Sequence, residues 1–221
     1  MRELRPLTPD LVPDLVGSCA PCTFWQTIPR NGAGESADPV ALLADWVAEV
    51  TADWAPPGRV AYVDGASAGF VIIAPARWLP RLAAFPTAPS DRSTLILATV
   101  VTVENRPEHS GRGLRKALVQ SAAKDALRAK ARSLDVIAAR PLAVGRHACV
   151  VEARVLERSG FHVERDHPVY PRLRMDLRTV VALRDDAAER LARALARVPG
   201  VRAAPKTHPD GATRARAARQ P

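Results

Sequence analysis

The segment Ser110–Lys116 carries the residues best suited to binding an anion. Gly111 and Gly113 follow an apolar strand and stand directly before a helix that starts at Leu114. Glycine lets a backbone approach a ligand closely, and the first N–H groups of a helix have no intrahelical partners. The basic residues of the segment are Arg112, Arg115 and Lys116. The pattern indicates a pyrophosphate site at the helix N-terminus. The alternative is a turn that needs glycine for geometry alone, since neither the P-loop nor the three-glycine dinucleotide pattern is present.

The cysteines form a second group with chemical potential. Cys19 and Cys22 have the spacing of metal ligands, and Cys149 is a third thiol. A structural zinc site needs four nitrogen or sulfur ligands. The histidines that could complete such a set are His147, His162 and His167. We expect packed thiols, with a zinc site and a redox pair as the alternatives.

The elements around the anion site follow from hydrophobic periodicity. Ser93–Val103 is apolar on both faces and rich in β-branched residues, which predicts a central strand covered on both sides. Leu114–Arg132 has an apolar stripe at helical spacing. Further strands are predicted at Arg2–Leu7, Arg59–Val63, Ala68–Ala74, Leu134–Ala139, Phe161–Glu164 and Arg172–Leu177. Further helices are predicted at Leu11–Val16, Val40–Trp54, His147–Arg158 and Ala187–Leu195. This order predicts an α+β fold, a central mixed sheet flanked by helices.

Two motifs resemble the GNAT acyltransferases. PEHSGRGLRKALV is similar to their acyl-CoA loop, in which a proline and an Arg/Gln-x-x-Gly-x-Gly/Ala pattern lead into a helix. Ser110 takes the Arg/Gln place, Gly113 the middle glycine and Arg115 the last small residue. VLERSGFHV resembles the Tyr-Glu-x-x-Gly-Phe segment of the same family, with Leu156 in the tyrosine position. More narrowly, the chain resembles bacterial GNAT-like proteins that share Cys-x-x-Cys-x-Phe-Trp near the N-terminus and HPVYPRLRMDLR near the end of the domain.

The resemblance implies a GNAT-like sheet with helices on both faces and an N-acetyltransferase that uses acetyl-CoA. An amine attacks the thioester directly, Glu104 is the candidate base, and Tyr170 or His167 is the candidate acid. The structural alternatives are a solvated strand-end carboxylate, a packed aromatic ring and a loop histidine. The residues implied in cofactor binding are Val101, Val103, Asn105, Ser110, Gly111, Arg112, Gly113, Leu114, Arg115 and Lys116.

Two other functions are weighed against this one. The first is a GNAT fold that binds acyl-CoA as a sensor or scaffold, which the residues at Ser110, Arg115 and Leu156 favour. The second is nucleic-acid binding, suggested by a net charge of +9. Aromatic residues make up only 5% of the chain, whereas nucleic-acid sites usually interleave aromatic and basic residues, so we do not expect nucleic acid as a partner.

Composition sets the remaining expectations. No apolar run is long enough to span a membrane, no secretory signal opens the chain, and three cysteines do not make a disulfide framework. These features predict a cytoplasmic protein. We expect a GNAT-like domain over residues 1–184, a C-terminal helix over 185–200 and a basic, disordered tail over 201–221. The expected partners are acetyl-CoA and an amine of unknown identity, and the family resemblance adds a homodimer.

Overall fold

A mixed sheet forms the centre of the described part of the chain. The computed structural model describes residues 1–17, 19–28, 38–103, 113–144, 146–147 and 149–177. Within these residues the sheet has seven strands: β1 (Arg2–Pro6), β2 (Gly58–Val63), β3 (Ala66–Pro75), β4 (Leu95–Thr102), β5 (Ser133–Ile137), β6 (His162–Arg165) and β7 (Arg172–Asp176). The helices are α1 (Pro39–Asp53), α2 (Leu114–Arg128) and α3 (Ala153–Glu157). Short 3₁₀ turns occupy Pro9–Asp14, Ala76–Trp78, Pro80–Ala84 and Pro141–Ala143.

The strand order across the sheet is β1-β2-β3-β4-β5-β7-β6. β4 and β5 run parallel and are connected through α2, whereas the other neighbouring strands are antiparallel. The hairpin between β2 and β3 turns at Asp64 and Gly65, both of which have positive φ. Positive φ at both central residues is the geometry of the two-residue hairpin turn that an Asp-Gly pair predicts.

Helices cover both faces of the sheet, as the sequence predicts. On one face, Leu43 and Val47 of α1 share a buried cluster with Phe70 of β3. On the other face, Leu118 of α2 shares a second buried cluster with Leu97 of β4. β4 contributes side chains to both clusters, which explains why its sequence is apolar throughout.

An ion pair fixes α2 against the sheet. Arg59 of β2 donates from Nε and Nη2 to the two carboxylate oxygens of Asp125, at 2.6 and 2.7 Å. Both side chains are less than one-fifth exposed, at 18% and 19%. A bidentate pair of this kind holds a defined geometry. It therefore anchors the C-terminal half of α2 and leaves its N-terminus at the end of β4.

Several predicted boundaries are wrong, each for a local reason. The helix predicted over His147–Arg158 is only Ala153–Glu157, because the preceding backbone pairs with Ala139 instead: the Ala139 N–H donates to the Val151 carbonyl at 2.9 Å. α2 ends at Arg128 rather than Arg132, since Lys130 adopts positive φ.

The N-terminal helix is also shorter and tighter than predicted. Leu11–Val16 was predicted as a helix, and the structure has a 3₁₀ segment over Pro9–Asp14 with Pro13 inside it. Proline removes a backbone donor, which limits helix extension.

The predicted helix Ala187–Leu195, the tail and the boundary at residue 184 lie outside the described residues. Among the helices that the structure describes, none combines the length and apolarity needed to cross a bilayer.

Candidate functional site

The central feature of the candidate site is the divergence of β4 from β5. In the described residues these strands share one ladder pair, Ile96 with Asp135. β3, in contrast, pairs with β4 from Leu95 to Thr102. Beyond Ile96, one edge of β4 therefore lacks ladder pairing with β5. Backbone N–H and C=O groups there are available to an extended ligand that lies alongside the strand.

The direction of each amide follows from the pairing. The Val103 N–H donates to the Ala68 carbonyl at 3.0 Å, on the β3 side. Because backbone groups alternate in direction along a strand, the N–H and C=O of Val101 also point towards β3. The polar backbone groups that face β5 are then those of Val100 and Thr102. The resemblance implies Val101 and Val103 as amide donors to the cofactor. In the structure, the amides that face the β4–β5 gap are instead those of Val100 and Thr102.

A β-bulge lies where the strands part. The β3–β4 register shifts between Ile72 and Ile73, which pair with Thr99 and Leu97, so Ala98 is the extra residue. A bulge increases local twist and bends its strand, which accounts for β4 leaving β5 soon after Ile96. Apolar periodicity does not reveal a bulge, so the sequence predicted the strand but not its distortion.

On the side that faces β4, the backbone just after β5 is hydrogen-bonded to the segment around Val151. Ala138 and Arg140 donate their N–H groups to the Pro171 and Val169 carbonyls, towards β7. Ala139 lies between them and faces the opposite way, where it bonds Val151. The segment that follows Cys149 thus runs beside the gap.

The first turn of α2 lies at the end of β4. Gly113 has φ of 67° and ψ of 23° at the N-cap, a left-handed conformation that favours glycine. The first helical bond runs from the Ala117 N–H to the Gly113 carbonyl, so the amides of Leu114, Arg115 and Lys116 precede the helical ladder. They form the positive end of a helix that is 15 residues long.

Arg115 bridges the helix and the strand. Its Nη2 donates to the hydroxyl of Thr102 at 3.2 Å. The guanidinium therefore lies between the end of β4 and the first turn of α2, beside the amides that face the gap. Thr102 is a further residue of the candidate site that the motif did not identify, since a threonine at a strand end has no distinctive sequence signal.

Thr99 offers a second polar group near the gap. It is 3% exposed, and its hydroxyl has no hydrogen-bond partner within the described part of the chain. Buried hydroxyls are normally hydrogen-bonded, and an unsatisfied one costs free energy. The position of Thr99 on the diverging part of β4 makes it a candidate contact for a ligand in the gap.

A matched pair of substitutions tests the state of the Thr99 hydroxyl. Thr99→Val is expected to raise the free energy of unfolding by about 1 kcal/mol, because it removes an unsatisfied buried group without changing side-chain shape. The control is Thr87→Val: Thr87 is 1% exposed and donates to the Tyr170 carbonyl at 2.8 Å, so this change is expected to lower stability by about 1 kcal/mol. Urea unfolding measures both. Equal destabilisation by the two variants would contradict the assignment.

The fold of the chain is similar to that of solved acetyltransferase structures. The N-acetyltransferase of Staphylococcus aureus Mu50 superposes with a TM-score of 0.51 at 13% identity, covering 80% of this chain and 99% of that one. The fold is that of the GNAT acetyltransferases.

Two further acetyltransferase structures have TM-scores of 0.49. PaiA N-acetyltransferase from Thermoplasma acidophilum, solved in complex with coenzyme A, is 14% identical and covers 80% of this chain and 99% of its own. YncA from Salmonella typhimurium, solved with acetyl-CoA, is 16% identical and covers 80% of this chain and 94% of its own. No protein-family profile matches the sequence, and no curated protein matches it either.

The candidate acid residues of the GNAT interpretation lie in the loop before β7. The Tyr170 ring meets Phe85 edge-on at 5.1 Å between centroids. Nδ1 of His167 accepts the N–H groups of Val169 and Tyr170, at 3.1 and 3.0 Å. His167 thus shapes the loop that carries Tyr170, and its role as an acid stays a prediction, as does that of Tyr170.

Leu156 does not belong to the gap. It is fully buried on α3, in the cluster that contains Leu118 of α2. The other motif residues, Glu104, Asn105, Ser110, Gly111 and Arg112, lie outside the described residues. The structure therefore describes Val101, Val103 and Gly113–Lys116 from the predicted cofactor set, together with Tyr170.

The three cysteines meet on the face of the sheet that carries α1. The sulfur atoms of Cys22 and Cys149 are 3.1 Å apart, and Cys19 also hydrogen-bonds Cys149. None of the three is in a disulfide. Among the described residues, no group of three or more His, Cys, Asp or Glu side chains has an arrangement that could hold a metal ion. The sequence predicted packed thiols but not that Cys149 contacts both others.

An aromatic cluster lies beside the thiols, since Trp25 Nε1 donates to the Cys149 carbonyl at 3.4 Å. Trp25 stacks on Phe85 at 5.3 Å, and Phe24 meets Trp25 edge-on at 5.1 Å. Arg81 lies over the Phe24 ring, 4.7 Å from its centroid. This aromatic cluster (Phe24, Trp25, Phe85 and Tyr170) joins the N-terminal segment to the loop before β7.

Proposed function

We propose that the chain is an acetyl-CoA-dependent N-acetyltransferase that moves an acetyl group to an amine by direct attack. The observation that carries the proposal is the single β4–β5 pair followed by divergence, with the N-terminus of α2 at the end of β4. This arrangement occurs in a fold shared with the N-acetyltransferase of Staphylococcus aureus Mu50.

The described residues fit coenzyme A in two ways. The amides of Leu114–Lys116 and the guanidinium of Arg115 suit a diphosphate, because both supply hydrogen-bond donors and positive charge. The backbone groups of Val100 and Thr102 suit the amide groups of a pantetheine arm, since a strand edge binds an extended chain by main-chain hydrogen bonds. Acetyl-CoA supplies an acetyl group activated as a thioester.

Two side chains of the chain would transfer the protons of the reaction. Glu104 follows β4 in sequence and would accept a proton from the attacking amine, directly or through water. Tyr170 would donate a proton to the departing sulfur.

Gly17 packs against β4, since a Cβ built on it would lie 2.7 Å from Cγ1 of Val101. The segment before Cys19 therefore borders the end of β4 and would limit which amines fit.

Turnover over an amine panel tests the proposal. Release of coenzyme A thiol from acetyl-CoA, dependent on one class of amine, is the expected result. A panel of polyamines, aminoglycosides, amino acids and peptides samples the main acceptor classes. Binding of acetyl-CoA with no amine-dependent thiol release would contradict the enzymatic part of the proposal.

Glu104→Gln tests the base separately. The variant keeps size and hydrogen bonding but cannot take up a proton, so kcat is expected to fall by about 10²–10⁴-fold, the range for general base catalysis. Glu108→Gln, four positions along the same segment, is the matched control and is expected to keep its rate. A Glu104→Gln enzyme with an unchanged rate across the pH range would remove Glu104 from this role.

A second candidate is an acyl-CoA binder without turnover. The buried position of Leu156 favours it, because the family resemblance expects a tyrosine acid at this place and leucine has no proton to donate. In this case acetyl-CoA binds with the same dependence on Arg115, and the amine panel gives no thiol release. The two candidates therefore differ in turnover and agree in binding.

A further inference from the structure

Two thiols from distant parts of the chain meet beside the aromatic cluster. Cys22 precedes α1 and Cys149 lies between β5 and α3, yet their sulfur atoms are 3.1 Å apart across 127 positions of sequence. We propose that Cys22 and Cys149 form an oxidation site, at which a hydroperoxide converts the pair into a disulfide. This proposal does not depend on the acetyltransferase function.

The geometry brings the sulfur atoms close to bonding distance. A disulfide bond is about 2.05 Å long, so the two sulfurs need to approach each other by about 1 Å. The surrounding structure holds the two segments in place: the indole Nε1 of Trp25 donates to the Cys149 carbonyl at 3.4 Å. The Cys22 N–H donates to the Cys19 carbonyl at 2.9 Å, which closes the turn that presents Cys22.

The two thiols differ in exposure, which divides the roles between them. Cys149 is 6% exposed, whereas Cys22 is only partly buried. A small oxidant therefore reaches Cys22 first, and Cys149 is the thiol that resolves the oxidised intermediate. Cys19, 3% exposed, is shielded from solvent.

The electrostatics agree with this division. A hydrogen bond from Cys149, one from the Phe24 N–H and the charge of Arg81 together lower the pKa of Cys22 to about 6, against the opposing effect of burial. Hydrogen bonds with Cys19 and Cys22 and burial raise the pKa of Cys149. At neutral pH the accessible sulfur is thus a thiolate, the form that reacts with peroxide, and its neighbour keeps its proton.

The reaction balances in two steps. The Cys22 thiolate attacks the terminal oxygen of the hydroperoxide and the O–O bond breaks. The alkoxide that leaves, or hydroxide when the oxidant is hydrogen peroxide, takes a proton from solvent. Cys22 is then a sulfenic acid. The Cys149 sulfur attacks the Cys22 sulfur, an S–S bond forms and the S–O bond breaks, and the oxygen leaves as water with the proton of Cys149. Two electrons pass from the two sulfurs to one hydroperoxide.

The test uses the full chain, reduced and held in a metal chelator. Hydrogen peroxide is added, the reaction is stopped by alkylation, and peptides are mapped without reduction. Before alkylation, the intact mass is expected to fall by about 2 Da, the loss of two hydrogen atoms. After alkylation, we expect two of the three thiols to be unlabelled and a Cys22–Cys149 cross-linked peptide that dithiothreitol reverses. Alkylation of Cys22 in the reduced protein is expected to slow as the pH falls through about 6, because the thiolate is then protonated.

Cysteine variants separate the roles. Cys19→Ser is expected to keep the cross-link. Cys149→Ser is expected to stop at a Cys22 sulfenic acid that dimedone traps. The wild-type peptide map remains decisive if a variant fails to fold. Three thiols remaining after peroxide, or a cross-link to Cys19 instead, would each overturn the proposal.

Discussion

Replacing Asp135 with asparagine is expected to lower the free energy of unfolding by about 3–5 kcal/mol. The carboxylate is fully buried and accepts from Nε and Nη2 of Arg174 at 2.8 and 3.0 Å. Arg172 adds a third charge, with its Nε 3.5 Å from the same carboxylate. Removal of this buried anion leaves Arg172 without its charge partner and Arg174 with only Glu164, whose Oε1 lies 2.6 Å from Nη1 of Arg174. Breaking a buried ion pair by removing one partner is strongly destabilising.

The matched control is Asp176→Asn on the same strand as Arg174. Asp176 is 55% exposed and its carboxylate lies 3.8 Å from Nε2 of His162, so its replacement is expected to change stability by less than about 0.5 kcal/mol. Chemical denaturation measures both variants. A loss below about 1 kcal/mol in Asp135→Asn would show that this network does not stabilise the sheet.

This network also concerns the site. Asp135 is the β5 partner of Ile96 in the pair from which β4 and β5 diverge. Its ion pairs bind β5 to β7 at the point where the β4–β5 gap opens. We therefore expect Asp135→Asn to weaken ligand binding in the gap as well as overall stability.

Arg115→Ala is expected to weaken acetyl-CoA binding by about 10–100-fold, the equivalent of one or two hydrogen bonds to a charged group. The reason is the position of the guanidinium, which the contact with Thr102 holds between β4 and the first turn of α2. Isothermal titration calorimetry measures the affinity. Arg115→Lys is expected to recover part of it, because lysine keeps the charge but loses the planar donor geometry.

Lys124→Ala is the control for charge. Lys124 is exposed on the same helix, about 13 Å further along its axis from Arg115, and its removal changes the net charge by the same amount. We expect unchanged affinity in this variant. Equal weakening by both substitutions would indicate a general charge effect, and no weakening by Arg115→Ala would remove Arg115 from the site.

The sequence predicted most of the fold because its elements have strong periodic signals. The continuous apolar run at Ser93–Val103 identified the central strand, and the amphipathic pattern after Leu114 identified α2. The element boundaries that were predicted wrongly depend on tertiary contacts. Val151 pairs with Ala139 and so leaves the predicted helix, and nothing in the local pattern of residues 147–152 signals that pairing.

The local structure of the candidate site was predictable in part for the same reason. Glycine before a helix is a local signal, and it located the first turn of α2 correctly. The direction of the β4 amides depends on register and on the bulge near Ala98, which sequence periodicity does not reveal. Contacts between distant segments, such as Arg115 with Thr102 and Cys22 with Cys149, require the folded chain.

Backbone amide spectra during titration with coenzyme A test the central claim most directly. If the diverging edge of β4 and the first turn of α2 hold the cofactor, the amide resonances of Val100, Thr102 and Leu114–Lys116 shift in a saturable way. Resonances of β1, on the far edge of the sheet, stay in place. Saturating coenzyme A that leaves the signals of β4 and α2 unchanged would contradict the account.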